Sequence, residues 1–445
     1  MLSLGNNTFK HAHSFIDKEI DYNIFNLIKD NDEPLTDTVT YHQFISAICC
    51  AFEFISSMDH EYVSIDRNDE TFIIVALAGM LSGKIVIDSR YRVTGEVLYM
   101  DNPYTYKPYD YTKTLENIAK RISVKDVGGM IFGTSGSTGA PQQVHLSWYN
   151  IMAAIHAFRT EPAINHGGIG TILHCLPHNH VYSFLMQLLF ITMGSRTYYS
   201  DYSDLYKNYM MVRPTVMPVV PAILNKLYEM HLPLKLNLLI CAGAPLRSDV
   251  AEFYRKTCRQ ILKGYGTTET TACLTLSLDP NDDGICTPAN IIRIAEDGEL
   301  LAKGLTVSEH SIEDDGWYHT KDIFSIDSDG RLHIIGRKSN VIKLQQGEFI
   351  NLDELSILYT TNSIDTIVYA SPLDRYPRAV VYIDDNINRN DIPEIFKDIH
   401  KRNKRKGYER ISQIAIKSIK DMPLINGIKP DYKHIREEAL KLGTL

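Results

Sequence analysis

From about residue 40 to residue 280 the apolar positions follow two alternating rhythms. Tyr41–Ile55, Pro221–Met230 and Arg247–Lys256 carry apolar side chains at helical spacing. Among them stand short continuous apolar runs at Phe72–Leu81, Met130–Phe132, Thr171–Leu176, Val216–Val220 and Leu236–Cys241, which read as strands. Strands alternating with helices predict an α/β architecture with a largely parallel sheet. After Asp282 the pattern changes. Glu299–Lys303, Ile323–Asp327 and Arg331–Ile335 are short strands, the last two joined by a hairpin turn at Asp327-Ser328-Asp329-Gly330. A small α+β region closes the chain, with strands at Thr366–Ala370, Ala379–Ile383 and Gln413–Ile419 and a helix over Ile392–Lys404. The boundary is expected in the charged, polar segment Arg337–Asn340.

At 445 residues the chain suits two or three domains, and 44% apolar with 22% charged residues is an ordinary globular composition. The net charge of −8 argues against a nucleic-acid partner. Seven cysteines without a CxxC pair suggest neither a disulfide framework nor a zinc site. Met1 to Ile20 lacks the apolar core of a signal peptide. Residues 162–195 contain no Asp, Glu, Lys or Arg, but their apolar part, Val181–Met193, is too short for a membrane span. A cytoplasmic protein is expected. That stretch suits an apolar acyl pocket or, equally, a core helix.

The strand Met130–Phe132 empties into Gly133-Thr134-Ser135-Gly136-Ser137-Thr138-Gly139-Ala140-Pro141. Glycines uncover backbone N–H groups and hydroxyls add donors, as phosphate oxygens require. No Gly-Lys-Ser/Thr follows, so this is not the common nucleotide P-loop; taken alone, a flexible turn explains it as well. Further segments follow in order. They are Leu176-Pro177-His178-Asn179-His180, Ala242-Gly243-Ala244-Pro245-Leu246 and Gly264-Tyr265-Gly266-Thr267-Thr268-Glu269. Beyond them lie Asp315-Gly316-Trp317-Tyr318-His319-Thr320-Lys321-Asp322 and Gly336-Arg337-Lys338-Ser339-Asn340-Val341-Ile342-Lys343, then Gly347.

In this order the segments resemble the core motifs of the adenylate-forming (AMP-binding) superfamily, in its acyl-CoA synthetase-like branch. The likeness runs from about residue 40 to 435. It implies a large multi-subdomain N-terminal α/β domain, residues 1–337, and a small mobile C-terminal α+β domain, residues 338–445. It implies a ligase that joins a fatty or aryl carboxylic acid to ATP as acyl-AMP and then passes the acyl group to coenzyme A. Thr134, Ser135, Gly136, Ser137, Thr138 and Gly139 would wrap the phosphates, with Glu269 and Thr134 at Mg²⁺. Tyr265 would lie against adenine opposite Gly243, Ala244 and Pro245. Gly266 would allow close approach of the nucleotide, Thr267 would stand among the nucleotide-binding residues, and Thr268 would reach the α-phosphate. Asp322 and Arg337 would contact the ribose. His180 would orient the carboxylate, and Lys429 would bridge it to the α-phosphate. Asn340 would be the hinge, with Gly347 and Glu348 on the pantetheine side.

Amino-acid activators of the superfamily tend to carry an aspartate for the substrate ammonium. This chain has no acid between Glu161 and Asp201, which implies an acid without an α-amino group. The chain departs from the family pattern elsewhere. Gln142 stands where a phosphate-facing Lys is usual, a loss of ~1.5–3 kcal/mol of charge-assisted bonding. Lys321 and Ile428 replace glycines before Asp322 and Lys429, which leaves Lys433 as an alternative lysine. The region before the loop is short, and a Gly-Tyr element is missing between Gly304 and Asp315. Two other readings stay open: delivery to an acyl carrier protein, for which the basic run 401–406 is a candidate contact, and a degenerate relative that binds without turnover. A homodimer is compatible with all of them.

Overall fold

The computed structural model describes residues 20–67, 69–88, 93, 95–100, 110–134, 142–167, 170–279, 281–361, 363–384, 387–403, 405–425 and 429–441. The chain divides into two compact units. One takes in residues up to Arg293 with Leu301–Thr320 and Ile326–His333; the other takes in Ile294–Leu300, Lys321–Ser325 and residues from Ile334 onward.

The first unit is built on two sheets. One contains β1 (Tyr62–Ile65), β2 (Ile85–Asp88), β3 (Val97–Met100), β4 (Gly129–Thr134) and β5 (Gln142–Ser147), in the order β3-β1-β2-β4-β5. Its first four strands are parallel, and β5 returns antiparallel to β4. The other contains β6 (Thr171–His174), β7 (Arg196–Tyr199), β8 (Val216–Val219), β9 (Leu238–Ala242), β10 (Gln260–Tyr265), β11 (Thr275–Ser277) and β12 (Ile285–Cys286). Its order is β12-β11-β10-β9-β8-β6-β7, parallel from β10 to β7. Four of the apolar runs thus fall in strands, as the periodicity predicts: β4, β6, β8 and β9.

Phe72–Leu81 does not. It forms the helix Glu70–Leu81, buried from Thr71 onward. Continuous apolarity cannot separate a buried helix from a buried strand, and three local features decide here. The Asp69 side chain accepts the Thr71 amide at 3.0 Å and caps the first turn, which carries Glu70. The run is also longer than an ordinary strand. Gly79 lets the helix settle on the sheet: a Cβ there would lie 2.8 Å from Val86 Cγ2.

Val181–Thr192 is likewise a helix buried on every side, the core-helix reading of the uncharged stretch. It packs against the helix Glu70–Leu81, and Tyr182 Oη donates to the Ile240 carbonyl of β9 at 3.0 Å. Phe184 sits at 6.2 Å from the Phe72 ring and 5.7 Å from the Phe132 ring of β4, so it joins elements of both sheets. No described helix is long and apolar enough to cross a membrane.

Four further strands, β13 (Asn290–Ile294), β14 (Glu299–Gly304), β15 (Tyr318–Ile326) and β16 (Leu332–Arg337), form a sheet in numerical order. Within the second unit, β17 (Val341–Lys343) and β18 (Phe349–Asn351) make a hairpin. There too, β19 (Ile364–Tyr369), β20 (Arg378–Ile383) and β21 (Gln413–Ser418) make a sheet, packed with helices Leu352–Tyr359, Ile392–Arg402 and Tyr432–Lys441. A last hairpin pairs β22 (Leu424–Ile425) with β23 (Lys429–Pro430).

Phe184→Ala should empty the contact between the layers. A loss of ~3–5 kcal/mol is expected, read as a lowered urea midpoint of the first unit.

Candidate active site

Parallel strands end on one edge, and in open α/β sheets the loops leaving that edge bind ligands. The loops after β6, β9 and β10 carry His180, Gly243–Pro245 and Tyr265–Glu269. The register pairs Ala242 with Gly264, so the β9 loop leaves directly beside Tyr265. Gly243 adopts φ +91°, a left-handed conformation natural to glycine, and Ala244 and Pro245 are exposed beyond it.

Gly266 has a reason within the fold to be glycine. A Cβ there would lie 2.5 Å from the carbonyl carbon of Ala272, so the turn itself leaves no room. Thr270 Oγ1 accepts the Thr267 amide at 2.9 Å, while Thr271 and Ala272 close the turn at φ +51° and +48°. Thr267 Oγ1 is 3.0 Å from Tyr318 Oη. Thr268 and Glu269 stay partly exposed on the short 3₁₀ helix Thr268–Thr270, which packs on β4 and β5.

That packing has a latch absent from the motifs. The Ser308 amide donates to the Glu269 carbonyl at 2.8 Å, and Ser308 Oγ donates to the His145 carbonyl of β5 at 2.7 Å. Asn150 Nδ2 holds the same segment through the Leu305 and Val307 carbonyls at 2.8 and 3.1 Å. The turn bearing Glu269 is therefore fastened beside the strand that ends in Thr134. Thr134 pairs with Gln142 across the hairpin, but its side chain and the residues Ser135, Gly136, Ser137, Thr138 and Gly139 lie outside the described set.

His180 is exposed at the N-terminus of the helix Val181–Thr192. Behind it lie two buried histidines that sequence reasoning passed over as ligands or partners. His174 Nε2 lies 2.8 Å from Ser183 Oγ, and the His178 ring is 5.5 Å from His174 and 5.1 Å from Tyr199. Burial, with His178 nearby, pushes His174 down to about 3; burial pushes His178 down to about 4, with Asp69 opposing. Both rings are neutral polar walls at neutral pH. The clustering of His174, His178 and His180 around the end of a strand was the available signal.

In the second unit Asp322 is buried on β15, and Arg337 Nε approaches its Oδ1 at 3.2 Å. Lys321, where the resemblance expects glycine, takes φ +59°. The glycine conformation is thus kept without the glycine, at ~1–2 kcal/mol. Asn340 Nδ2 donates to Asp353 Oδ2 at 2.5 Å, and Arg436 holds the other Asp353 oxygen at 2.7 Å. Lys429 pairs with Ile425 in β23, its side chain outside the described set; Lys433 is exposed on the last helix.

Among the described residues no group of three or more His, Cys, Asp or Glu forms a metal cage. Glu269 stands as a lone carboxylate on a hydroxyl-rich turn. That donor set fits Mg²⁺, which takes one or two carboxylates and completes its shell with water and phosphate.

The profile of the AMP-binding enzyme family matches residues 73–306, more than half of the chain. This chain is an AMP-binding enzyme family member. The family match spans β4, the Gly/Ser/Thr loop, His180, Gly243–Pro245 and the Glu269 turn. Among its relatives, long-chain-fatty-acid–CoA ligase 1 of Homo sapiens is 25% identical over 329 residues, 56% of this chain and 47% of that protein. Long chain acyl-CoA synthetase 1 of Arabidopsis thaliana is 33% identical over 178 residues, 33% of this chain and 27% of that one. The chain thus spans about half the length, or less, of the curated relatives it matches. ATP-bound MatB from Rhodopseudomonas palustris superposes with a TM-score of 0.64 at 17% identity, over 95% of this chain and all of that one. The Bacillus subtilis o-succinylbenzoate CoA synthetase bound to its acyl-adenylate gives 0.64 at 15%, over 90% and 94%. At such identities these two show a shared fold.

Unfolding the AMP-binding enzyme returns His174 and His178 to the ordinary value of 6.5. As pH falls below it the unfolded chain takes up protons that the folded one refuses. Stability should therefore be insensitive to these rings above pH 6.5 and decline toward pH 4. His178→Gln should remove about one proton from that slope, measured by urea unfolding across the range.

Proposed function

We propose that this chain is an ATP- and Mg²⁺-dependent acid–thiol ligase that forms an acyl-AMP and delivers the acyl group to coenzyme A. The observation that carries this reading is the gathering of Gly243–Pro245, Tyr265–Glu269 and His180 on one carboxyl edge, with the Glu269 turn fastened beside β4. The names of the relatives support a fatty acid as substrate.

The chemical obstacle is charge. A carboxylate must attack the α-phosphorus of an anionic nucleotide, and the site must supply positive potential where charge builds. Backbone amides of residues 134–139 would receive the phosphates. Glu269 would hold Mg²⁺, which when bound would neutralise phosphate oxygens. Tyr265 and the Gly243–Pro245 loop would sandwich adenine, and Thr268 would reach the α-phosphate. Asp322 would accept the ribose hydroxyls, with Arg337 beside it. His180, exposed at the edge, would orient the carboxylate, and Lys429 would place an ammonium between it and the phosphorus. Residues 338–445 would rotate about Asn340 after the first half-reaction, so that Lys429 leaves and the pantetheine thiol enters past Gly347 and Glu348. All seven cysteines are free thiols, which suits a reducing cytoplasm.

Exchange of labelled pyrophosphate into ATP, dependent on an added fatty acid, tests the reading; no exchange with any of a panel of acids would favour the degenerate binder. Glu269→Ala should abolish exchange. Lys429→Ala should remove it while sparing thioester formation from supplied acyl-AMP and coenzyme A. Gln142→Lys should raise exchange roughly ten- to a hundredfold if the missing cation limits the rate. Replacing coenzyme A by a holo carrier protein in the second step identifies the acceptor.

A further inference from the structure

The pair Asp322–Arg337 is flanked by residues held on a second carboxylate. Glu299, at the start of β14, is buried at 2% exposure. Its Oε1 accepts the Lys321 backbone amide at 2.9 Å, and its Oε2 accepts from Lys338 Nζ at 2.7 Å. The Lys338 amide in turn donates to the Lys321 carbonyl at 2.8 Å. One side chain therefore grips the residue just before Asp322 and the residue just after Arg337. All of these residues lie in the second unit.

The grip matters because of where Lys321 stands. Its left-handed backbone is unfavourable for a side chain and persists only where neighbours hold it. The Glu299 carboxylate fixes that peptide through its amide, and Lys338 fixes it through its carbonyl. Lys338 also reaches Asp297 at 2.6 Å, but both of those side chains are about half exposed, so that pair contributes little. The buried anchor is Glu299.

We propose that Glu299, acting through Lys321 and Lys338, is a positioning residue that sets the Asp322–Arg337 pair for a ribose diol. The proposal rests on the ribose role of that pair given above. The family motifs quoted for this chain contain neither Glu299 nor this use of Lys338.

Calorimetric binding of AMP and of 2′,3′-dideoxy-AMP to the full chain separates positioning from general damage. Glu299→Ala is expected to weaken AMP about tenfold and the dideoxy nucleotide hardly at all, because only the former has the diol to lose. In pyrophosphate exchange the same variant should raise KM for ATP and leave KM for the acid unchanged. Lys338→Met, which alters a half-exposed residue, should shift AMP in the same direction by about threefold and carries the test if Glu299→Ala does not fold. Adding Lys321→Gly should restore part of the AMP affinity, since glycine holds the left-handed turn unaided. Equal weakening of both nucleotides, or unchanged AMP binding in Glu299→Ala and Lys338→Met, overturns the proposal. Asp322→Asn distinguishes the levels. If it weakens AMP while the Glu299 and Lys338 variants do not, the ribose reading stands and the clamp falls; if it leaves AMP untouched, the ribose reading falls and takes the clamp with it.

Discussion

Parallel hydrogen bonding between β6, β8, β9 and β10 is the constraint from which the candidate site follows. It sends every carboxyl end to the same edge, so the chain must reverse there each time, and its reversals become neighbours whatever their separation in sequence. Each has its own reason to keep its shape. Pro221 opens the helix after β8, where its fixed φ suits the first turn. Gly243 supplies a left-handed exit from β9, and Gly266 lets the turn after β10 fold onto Ala272. Chemistry can then be placed on loops because a buried ladder carries their stability.

The β1–β5 sheet meets this edge at the Glu269 turn. Ser308 and Asn150 hold the Glu269 turn against β5 by hydrogen bonds to main-chain carbonyls, which depend on backbone position and not on side-chain identity at the receiving end. Behind His180, the packing of His174, His178 and Tyr199 gives the first turn of Val181–Thr192 a polar lining while the rest of that helix lies among Phe72, Phe132 and other apolar groups.

Much of this was legible from the letters. The apolar runs placed β4, β6, β8 and β9, because burial on both faces writes itself as short apolar runs, while the more polar strands such as β5, β7 and β10 left no such mark. The edge motifs stood out because glycine and hydroxyl residues at strand ends serve no core. What failed has physical causes. Phe72–Leu81 misled because a helix buried all round has no polar face to reveal its period; only the Asp69 cap and the length of the run distinguished it. Ser308, Asn150 and Glu299 were invisible because their partners, mostly backbone groups, lie far away in sequence. His174 and His178 were overlooked beside His180 because sequence does not disclose which of three close histidines is sealed from water.

Lys321 carries a consequence for how such a site is recognised. Its backbone keeps a left-handed angle, φ +59°, under a side chain that disfavours it. The buried Glu299 carboxylate accepts its amide, and the Lys338 amide reaches its carbonyl. The bend of this peptide is written in its surroundings, where a signature spelled in single letters would pass over it.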